Sequence, residues 1–152
     1  MAEKIYDKIL IPYDGSKFSE KALETAKTLA KTSDAALYIV SILDVSYVSP
    51  PGLIRSKETR KTIDQVRNSI RRSVETALEQ RERECKYVGI KASTQISEGS
   101  VSDELLKFIT KNKIDLVVIG SQGLSGFSKL KALGSVSRKI SELADCPVMI
   151  VR

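Results

Sequence analysis

KILIPYDGSKFSEKALETAKTLAKTSDAALYIVSILD, residues 8–44, is the stretch that decides the fold. It opens with a short apolar run that Pro12 ends, and Asp-Gly-Ser at residues 14–16 then supplies turn chemistry and a candidate helix N-cap. Across residues 17–32 the apolar side chains recur at spacings of three and four, which indicates one buried helix face. Residues 35–43 are almost continuously apolar, as in a strand that is covered on both faces. The stretch therefore predicts a strand, a helix and a second, parallel strand.

The same alternation continues to the end of the chain. The further elements that the pattern predicts are a long helix over residues 56–85, a strand over 90–96, a helix after Gly99-Ser100 with a capping box of Ser100 and Asp103, a strand over 114–119, a short helix over 135–143 and a strand over 147–151. Residues 45–54, which contain Pro50-Pro51-Gly52, predict an irregular loop. Because each parallel crossover needs a helix-length connection, we predict one α/β domain over residues 1–152, an open five-stranded parallel sheet with helices on both faces.

Composition narrows the class of protein. The chain has 41% hydrophobic and 29% charged residues, which is typical of a globular domain. Its apolar runs are far shorter than the roughly 20 residues of a membrane span, and the N-terminal residues MAEKIYDKIL do not resemble a secretory signal, so we expect a cytoplasmic protein. Cys85 and Cys146 lack C-x-x-C spacing and are expected to be free thiols without chemistry.

Charge and the lack of histidine limit the chemistry. The formal net charge of +6 favours polyanionic partners such as nucleotides, nucleic acid or acidic membrane. With no histidine in the sequence, His-assisted nucleophiles and imidazole bases are excluded within this chain. Basic residues between Arg55 and Arg72 form a stripe on the predicted long helix, which we interpret as a solvated helix face in preference to a nucleic-acid surface.

The carboxyl ends of the strands are where an open α/β sheet binds ligands, at the point where strand order reverses. The first strand ends at residues 12–16, the second at 41–44 and the fourth at 120–123. We expect these three segments to converge on one crevice.

The segment GSQGLSGFSKLKALGSVSRK, residues 120–139, is longer than a turn requires. Its glycines can aim backbone N–H groups at one point, and Gly134-Ser135-Val136-Ser137 opens a helix whose N-terminus favours an anion. A phosphate chain is therefore predicted between the Gly123 turn and this helix, with the hydroxyls of Ser121, Ser135 and Ser137 as further donors. The alternative is that the glycines only form tight turns and Ser135 only caps the helix.

Asp14 has two alternative roles. It can accept hydrogen bonds from ribose hydroxyls or reach a phosphate-bound metal, or it can simply form the turn and cap the helix. Neither the G-x-x-x-x-G-K-[ST] nor the G-x-G-x-x-G phosphate fingerprint occurs at the required place, so a fast P-loop-type nucleoside triphosphatase is disfavoured.

Four segments in this order resemble the universal stress protein family, and the resemblance covers nearly the whole chain. They are KILIPYDGS at residues 8–16, GSQG at 120–123, GSVS at 134–137 and DCPVMIV at 145–151. The resemblance implies a Rossmann-like sheet with strand order 3-2-1-4-5. The ATP-binding branch of the family carries G-x2-G-x9-G-[ST]. The corresponding residues here are Gly120, Gly123, Gly134 and Ser135, but ten residues, 124–133, separate the second glycine from the third.

The resemblance also implies ligands and partners. Carried over by position, it places Pro12, Asp14 and Ser16 near ribose and phosphate, Ile42 with its backbone at adenine, and Gly120, Gly123, Gly134, Ser135, Val136 and Ser137 around the phosphates. The implied ligand is ATP, ADP or AMP with Mg²⁺ or Mn²⁺. The implied assembly is a homodimer through the last strand, residues 147–151, which would otherwise leave an apolar edge unpaired.

These expectations describe a dimeric, nucleotide-binding stress-response protein that acts as a switch or partner-binding module and hydrolyses ATP slowly at most. The first alternative is a dimeric interaction scaffold of the non-nucleotide branch, in which the extra residue spoils the phosphate cradle. A nucleic-acid binder that uses residues 55–72 is a third class. An adenylyl-transferring enzyme ranks last, since the histidine-containing phosphate motif of such enzymes is missing.

Overall fold

Strands and helices alternate along the chain, and the computed structural model describes residues 4–44, 56–124 and 133–152. The elements are β1 (Lys8–Pro12), α1 (Lys17–Ser33), β2 (Ala36–Leu43), α2 (Lys57–Tyr87), β3 (Ala92–Glu98), α3 (Val101–Asn112), β4 (Leu116–Gly120), α4 (Ser135–Leu143) and β5 (Val148–Val151). Each strand and helix that the sequence predicts is present, and no end differs from the predicted one by more than two residues. The loop predicted over residues 45–54 lies outside the described residues.

All five strands form one parallel sheet in the order β3-β2-β1-β4-β5. This confirms both the predicted fold class and the strand order. The register places Ile9 of β1 beside Leu37 of β2 on one side and beside Leu116 of β4 on the other. The chain builds outward from β1 to β3 and then crosses back to β4, so strand order reverses between β1 and β4. A crevice opens at such a point.

Two layers of apolar side chains cover the two faces of the sheet, because successive strand residues point to opposite sides. One layer joins Ile9, Ile11, Leu37, Ile39, Leu116 and Val118 to α1 and to the C-terminal half of α2 through Ala22, Leu23, Ala26, Leu78 and Cys85. The other layer joins Leu10, Val40, Val117 and Ile119 to α3 and α4 through Leu105, Phe108, Ile109 and Ile140. The near-continuous apolar runs of the strands therefore arise from burial on both faces.

Helices α1 and α3 begin differently although each has a serine N-cap. Ser16 caps α1, since its hydroxyl accepts a hydrogen bond from the Ser19 N–H at 3.1 Å. Ser100 is the N-cap of α3 but makes no capping hydrogen bond through its side chain. The predicted capping box is wrong: Ser100 makes no capping bond through its side chain, and the Asp103 carboxylate accepts a hydrogen bond from Lys139 at 3.0 Å instead. The first N–H groups of α3 are consequently left without a side-chain acceptor.

Helix α2 is long and mostly exposed, with only Leu78 and Cys85 fully buried along its 31 residues. Two of its arginines are paired with carboxylates: Arg67 and Arg71 form ion pairs with Glu98 at 2.8 and 3.2 Å, and Arg71 also pairs with Glu75 at 3.3 Å. This pairing supports the interpretation of the basic stripe as a helix face, as far as the described residues extend. None of the helices in the described ranges is both long and apolar enough to cross a bilayer.

Both cysteines are free thiols, as predicted. Cys85 is buried and Cys146 is half-buried. Burial raises the pKa of each thiol above its ordinary value. Neither residue therefore offers a thiolate at neutral pH.

Candidate functional site

A cavity of about 820 Å³ lies at the carboxyl ends of β1, β2 and β4. The ends of these strands form its floor, and the N-termini of α3 and α4 form two of its walls. The structure thus brings together the three strand ends that the sequence analysis singled out. It also places the cavity at the reversal of strand order, where ligands bind in open α/β sheets.

Most of the predicted site residues line this cavity. The lining residues among them are Pro12, Asp14, Ile42, Gly120, Gly123, Gly134, Ser135, Val136 and Ser137. Ser16 and Ser121 are buried and do not line it. Ser16 is occupied with capping α1. The Ser121 N–H donates to the Val151 carbonyl, and the Ser121 carbonyl accepts from Gly134.

The turn after β1 is fixed by backbone hydrogen bonds. The Tyr13 N–H donates to the Val40 carbonyl at 2.8 Å, and the Ser41 hydroxyl donates to the Tyr13 carbonyl at 2.6 Å. Asp14 follows, exposed at the cavity, and one of its carboxylate oxygens accepts from the Ser16 N–H at 2.9 Å. Asp14 therefore stabilises the turn and still presents its second oxygen to the cavity.

A side-chain cluster holds the same turn from behind. The Tyr13 hydroxyl forms a short hydrogen bond with the Glu20 carboxylate, which also accepts from Arg81 of α2 at 2.8 Å. Burial raises the pKa of Tyr13, and the neighbouring carboxylate adds to that rise. Burial alone would raise the pKa of Glu20, but the hydrogen bonds from Arg81 and Tyr13 outweigh it and lower the pKa. The cluster ties β1, α1 and α2 together immediately beside Asp14.

The glycines at the cavity have different reasons to be glycine. A Cβ atom on Gly120 would lie 2.7 Å from the backbone carbon of Phe18, so the close approach of α1 to β4 requires glycine there. A Cβ atom on Gly123 would lie 2.9 Å from the Asp14 carboxylate. Gly134 has room for a methyl group, since the nearest atom would be 3.4 Å away. Of the three, Gly123 is the one whose side chain would meet a group that lines the cavity, the Asp14 carboxylate.

The N-terminus of α4 keeps part of its donor capacity. The Gly134 N–H donates to the Ser121 carbonyl at 2.8 Å, and the Ser137 hydroxyl donates to the same carbonyl at 2.9 Å. These two donors, which the sequence analysis assigned to phosphate, are therefore occupied within the protein. The N–H groups of Ser135 and Val136 form no hydrogen bond with any described residue, and no side chain caps the helix. A helix N-terminus in this state attracts an anion.

The sequence analysis did not identify the contribution of α3 to the cavity. Ser100, Val101, Ser102 and Leu105 all line it. The signal was present in Gly99-Ser100, which follows the carboxyl end of β3 and opens a helix just as Gly134-Ser135 does. It was interpreted only as a helix start, because the distance between β3 and the other strand ends is not encoded in the local pattern.

Two carboxylates, Asp14 and Asp44, are among the described residues that line the cavity. The described part of the chain contains no cluster of three or more side chains suited to hold a metal ion. One or two carboxylates match the way Mg²⁺ is held when a bound phosphate supplies further ligands. The described residues therefore suit a metal that arrives with phosphate better than a protein-bound metal.

Comparison with known proteins gives a consistent result. Residues 5–152 match the model of the universal stress protein family. The chain is 35% identical to universal stress protein YxiE of Bacillus subtilis over 151 residues, which cover 97% of this chain and 100% of the relative. It is 32% identical to universal stress protein MJ0531 of Methanocaldococcus jannaschii over 151 residues, which cover 99% of this chain and 84% of the relative.

Solved structures show the same fold. Universal stress protein UspA from Lactobacillus plantarum superimposes with a TM-score of 0.83 at 21% identity, covering 97% of this chain and 98% of that one. A universal stress protein solved in complex with cAMP superimposes with a TM-score of 0.67 at 23% identity, and the match covers 97% of each chain. A family member from Arabidopsis thaliana solved with AMP bound superimposes with a TM-score of 0.67 at 20% identity, covering 95% of this chain and 90% of that one. With the family model matching almost from end to end and two relatives above 30% identity, this chain belongs to the universal stress protein family.

Proposed function

We propose that the protein binds an adenine nucleotide in the cavity between the N-termini of α3 and α4. The observation that carries the proposal is the pair of N–H groups at Ser135 and Val136, which have no acceptor among the described residues and open onto the cavity. They lie at the reversal of strand order, where a phosphate is stabilised by both the donors and the helix dipole. The AMP and cAMP bound to two relatives of the same fold support an adenine nucleotide.

The proposed ligand spans the cavity from β4 to β2. Its phosphate is held by the first turn of α4 and by the backbone at Gly123, while Asp14 accepts from the ribose hydroxyls. Its base lies over Ile42 at the end of β2. Pro12 borders the sugar, and the remaining predicted residues, Ser16 and Ser121, support the site by fixing the turns that carry it.

A divalent cation is the proposed companion of a di- or triphosphate. Asp14 and Asp44 put negative charge into the cavity, which would repel a bare triphosphate. Mg²⁺ or Mn²⁺ on the phosphates reduces that repulsion and can take a carboxylate as one further ligand. We therefore expect the affinity for ATP to depend on the metal more strongly than the affinity for AMP does.

Binding and switching fit the cavity better than rapid hydrolysis does. Among the described lining residues the titratable side chains are Tyr13, Asp14 and Asp44, and the pKa of Tyr13 is raised. A tyrosine in that state stays protonated at neutral pH and does not serve as a base. We propose that hydrolysis, where it occurs, is slow and that nucleotide occupancy is read by a protein partner.

The proposed assembly is a homodimer through β5. The N–H groups of Val117 in β4 and of Ser121, directly after β4, donate to the carbonyls of Pro147 and Val151 at 3.0 and 2.8 Å. Since strand residues alternate, the backbone groups of Val148 and Ile150 point away from β4, toward the outer edge of the sheet. Pairing with a second copy would satisfy the hydrogen bonds of this edge and cover Met149, which is 36% exposed.

The proposed location of the protein is the cytoplasm, because free thiols suit a reducing compartment.

Isothermal titration calorimetry with AMP, and with ATP in the presence and absence of Mg²⁺, tests the proposal. We expect saturable heat for AMP and for Mg-ATP. No detectable heat up to about millimolar nucleotide, which corresponds to a binding free energy weaker than about −4 kcal/mol, would refute nucleotide binding.

The alternative is a dimeric interaction scaffold that takes no nucleotide. One observation favours it: the requirement for glycine at position 120 is fully explained by Phe18 and needs no ligand. Gly123→Val discriminates between the two functions, because the added side chain enters the space beside Asp14. Nucleotide affinity is lost in this variant under the proposed function. Under the alternative, wild type and variant bind the same protein partner and neither binds nucleotide.

A further inference from the structure

We propose that Ser102, in the first turn of α3, is the residue that reads the base of the nucleotide. This inference rests on the proposed function. It assigns the specificity for the base to α3, which lies across the cavity from the phosphate end. It concerns hydrogen bonding to the base edge alone, and it leaves the phosphate to α4.

The first observation is the state of the Ser102 side chain. Ser102 is only 9% exposed, yet it lines the cavity. Its hydroxyl forms no hydrogen bond with any residue in the described part of the chain. The hydroxyl oxygen is not among the described side-chain atoms that are both fully buried and without a partner, so it keeps accessible surface although the residue as a whole is buried. The hydroxyl of Ser102 is thus available to a group inside the cavity.

The second observation is the open first turn of α3. Its N-cap, Ser100, makes no capping hydrogen bond through its side chain. The N–H groups of Val101 and Ser102 form no hydrogen bond with another described residue. The rim of the cavity at α3 therefore carries backbone donors beside a hydroxyl that can both donate and accept. The ring nitrogens and the exocyclic amino group of adenine require this combination.

The third observation separates the two ends of the cavity by charge. Helix α3 has Asp103 and Glu104 in its first turn, which form ion pairs with Lys139 and Lys107, whereas α4 has no acidic residue in its first turn. Carboxylates at a helix N-terminus offset the positive end of the helix dipole, so α3 attracts a phosphate less than α4 does. The anion is therefore directed to α4, and the α3 end is left for a neutral, hydrogen-bonding group.

The α3 end of the cavity is largely apolar. Val40 and Ile42 of β2 and Val101 and Leu105 of α3 line it. Val40 and Leu105 are almost fully buried in the core, while Ile42 and Val101 are half-buried and provide the apolar surface that a base can contact. Apolar walls hold the faces of a base, and a single polar group at the edge fixes its orientation. Ser102 is placed to be that group.

Ser102→Ala tests the inference through two ligands that differ only in the base. AMP and ribose 5-phosphate share the sugar and the phosphate, and only AMP reaches α3. We expect Ser102→Ala to weaken the affinity for AMP about five- to tenfold, which corresponds to the loss of one hydrogen bond. The affinity for ribose 5-phosphate should change by less than about twofold. Affinities are measured by NMR titration, and the amide spectrum of each variant verifies that it is folded.

Thr110→Ala is the matched control, because it removes a hydroxyl of the same helix that is exposed and does not line the cavity, so both affinities are expected to stay unchanged. An unchanged AMP affinity in Ser102→Ala, or an equal loss for both ligands, would overturn the role of Ser102 while nucleotide binding stands. Failure of the wild-type protein to bind AMP would overturn both the proposed function and this inference.

Discussion

Replacing Gly120 with alanine is expected to destabilise the fold strongly, whatever the protein binds. The new Cβ atom would lie 2.7 Å from both the backbone carbon and the Cβ atom of Phe18, and 2.9 Å from its carbonyl oxygen. Carbon atoms pack at about 3.5–4.0 Å, so the overlap is close to 1 Å. Two of the three contacted atoms belong to the backbone of α1 and cannot move by a change of rotamer. The helix must therefore shift away from β4.

Overpacking of this kind costs about 1–3 kcal/mol, and we expect the upper end because backbone has to give. For a chain of this length about 3 kcal/mol lowers Tm by roughly 6–12 °C. Differential scanning calorimetry of wild type and Gly120→Ala measures the shift. Gly134→Ala is the control, since its methyl group meets nothing closer than 3.4 Å and should change stability by less than about 1 kcal/mol. Equal Tm values for wild type and Gly120→Ala would refute the packing argument.

Three further predictions concern the turns and edges around the cavity. Ser16→Ala removes the N-cap of α1 and should cost about 0.5–2 kcal/mol in urea unfolding, whereas an unchanged midpoint would show that the cap is dispensable. Arg81→Met should lose more stability at about pH 7 than in acid. The lowered pKa of Glu20 contributes stability above its ordinary value, and this contribution is lost as pH falls through the pKa of Glu20 in the folded protein. A difference between wild type and variant in urea unfolding that stays constant as pH falls would contradict this. Ile150→Pro removes an outward N–H from the edge strand and should shift the protein to monomer in sedimentation velocity. Ile150→Ala keeps the N–H and should remain dimeric. A proline variant that is still dimeric would exclude β5 as the interface.

Local patterns were sufficient to predict the fold. The apolar runs at β1 and β2, and the helical spacing between them, predict parallel pairing because only a two-sided sheet buries such runs. The order of the strands, in contrast, came from resemblance to a family. Nothing in the local pattern of β4 says that it pairs with β1 on the side opposite β2.

The site was predicted less completely, for a physical reason. Local chemistry indicates which groups are donors, but it does not show which donors the protein uses itself. The local pattern predicts Gly134 and Ser137 at the phosphate; both line the cavity, and the Gly134 N–H and the Ser137 hydroxyl donate to the Ser121 carbonyl. Ser102 was overlooked because its value as a ligand group depends on burial and on the lack of a partner among the described residues, and both are tertiary properties.

We propose that the N–H groups of Ser135 and Val136, which have no acceptor among the described residues, hold a phosphate, and the amide NMR spectrum of the wild-type protein during titration with AMP tests this. The amide resonances of Ser135 and Val136 should shift saturably with AMP and far less with adenosine, which lacks the phosphate. Resonances at these two positions that stay unmoved at saturating AMP, or that shift equally with adenosine, would contradict it.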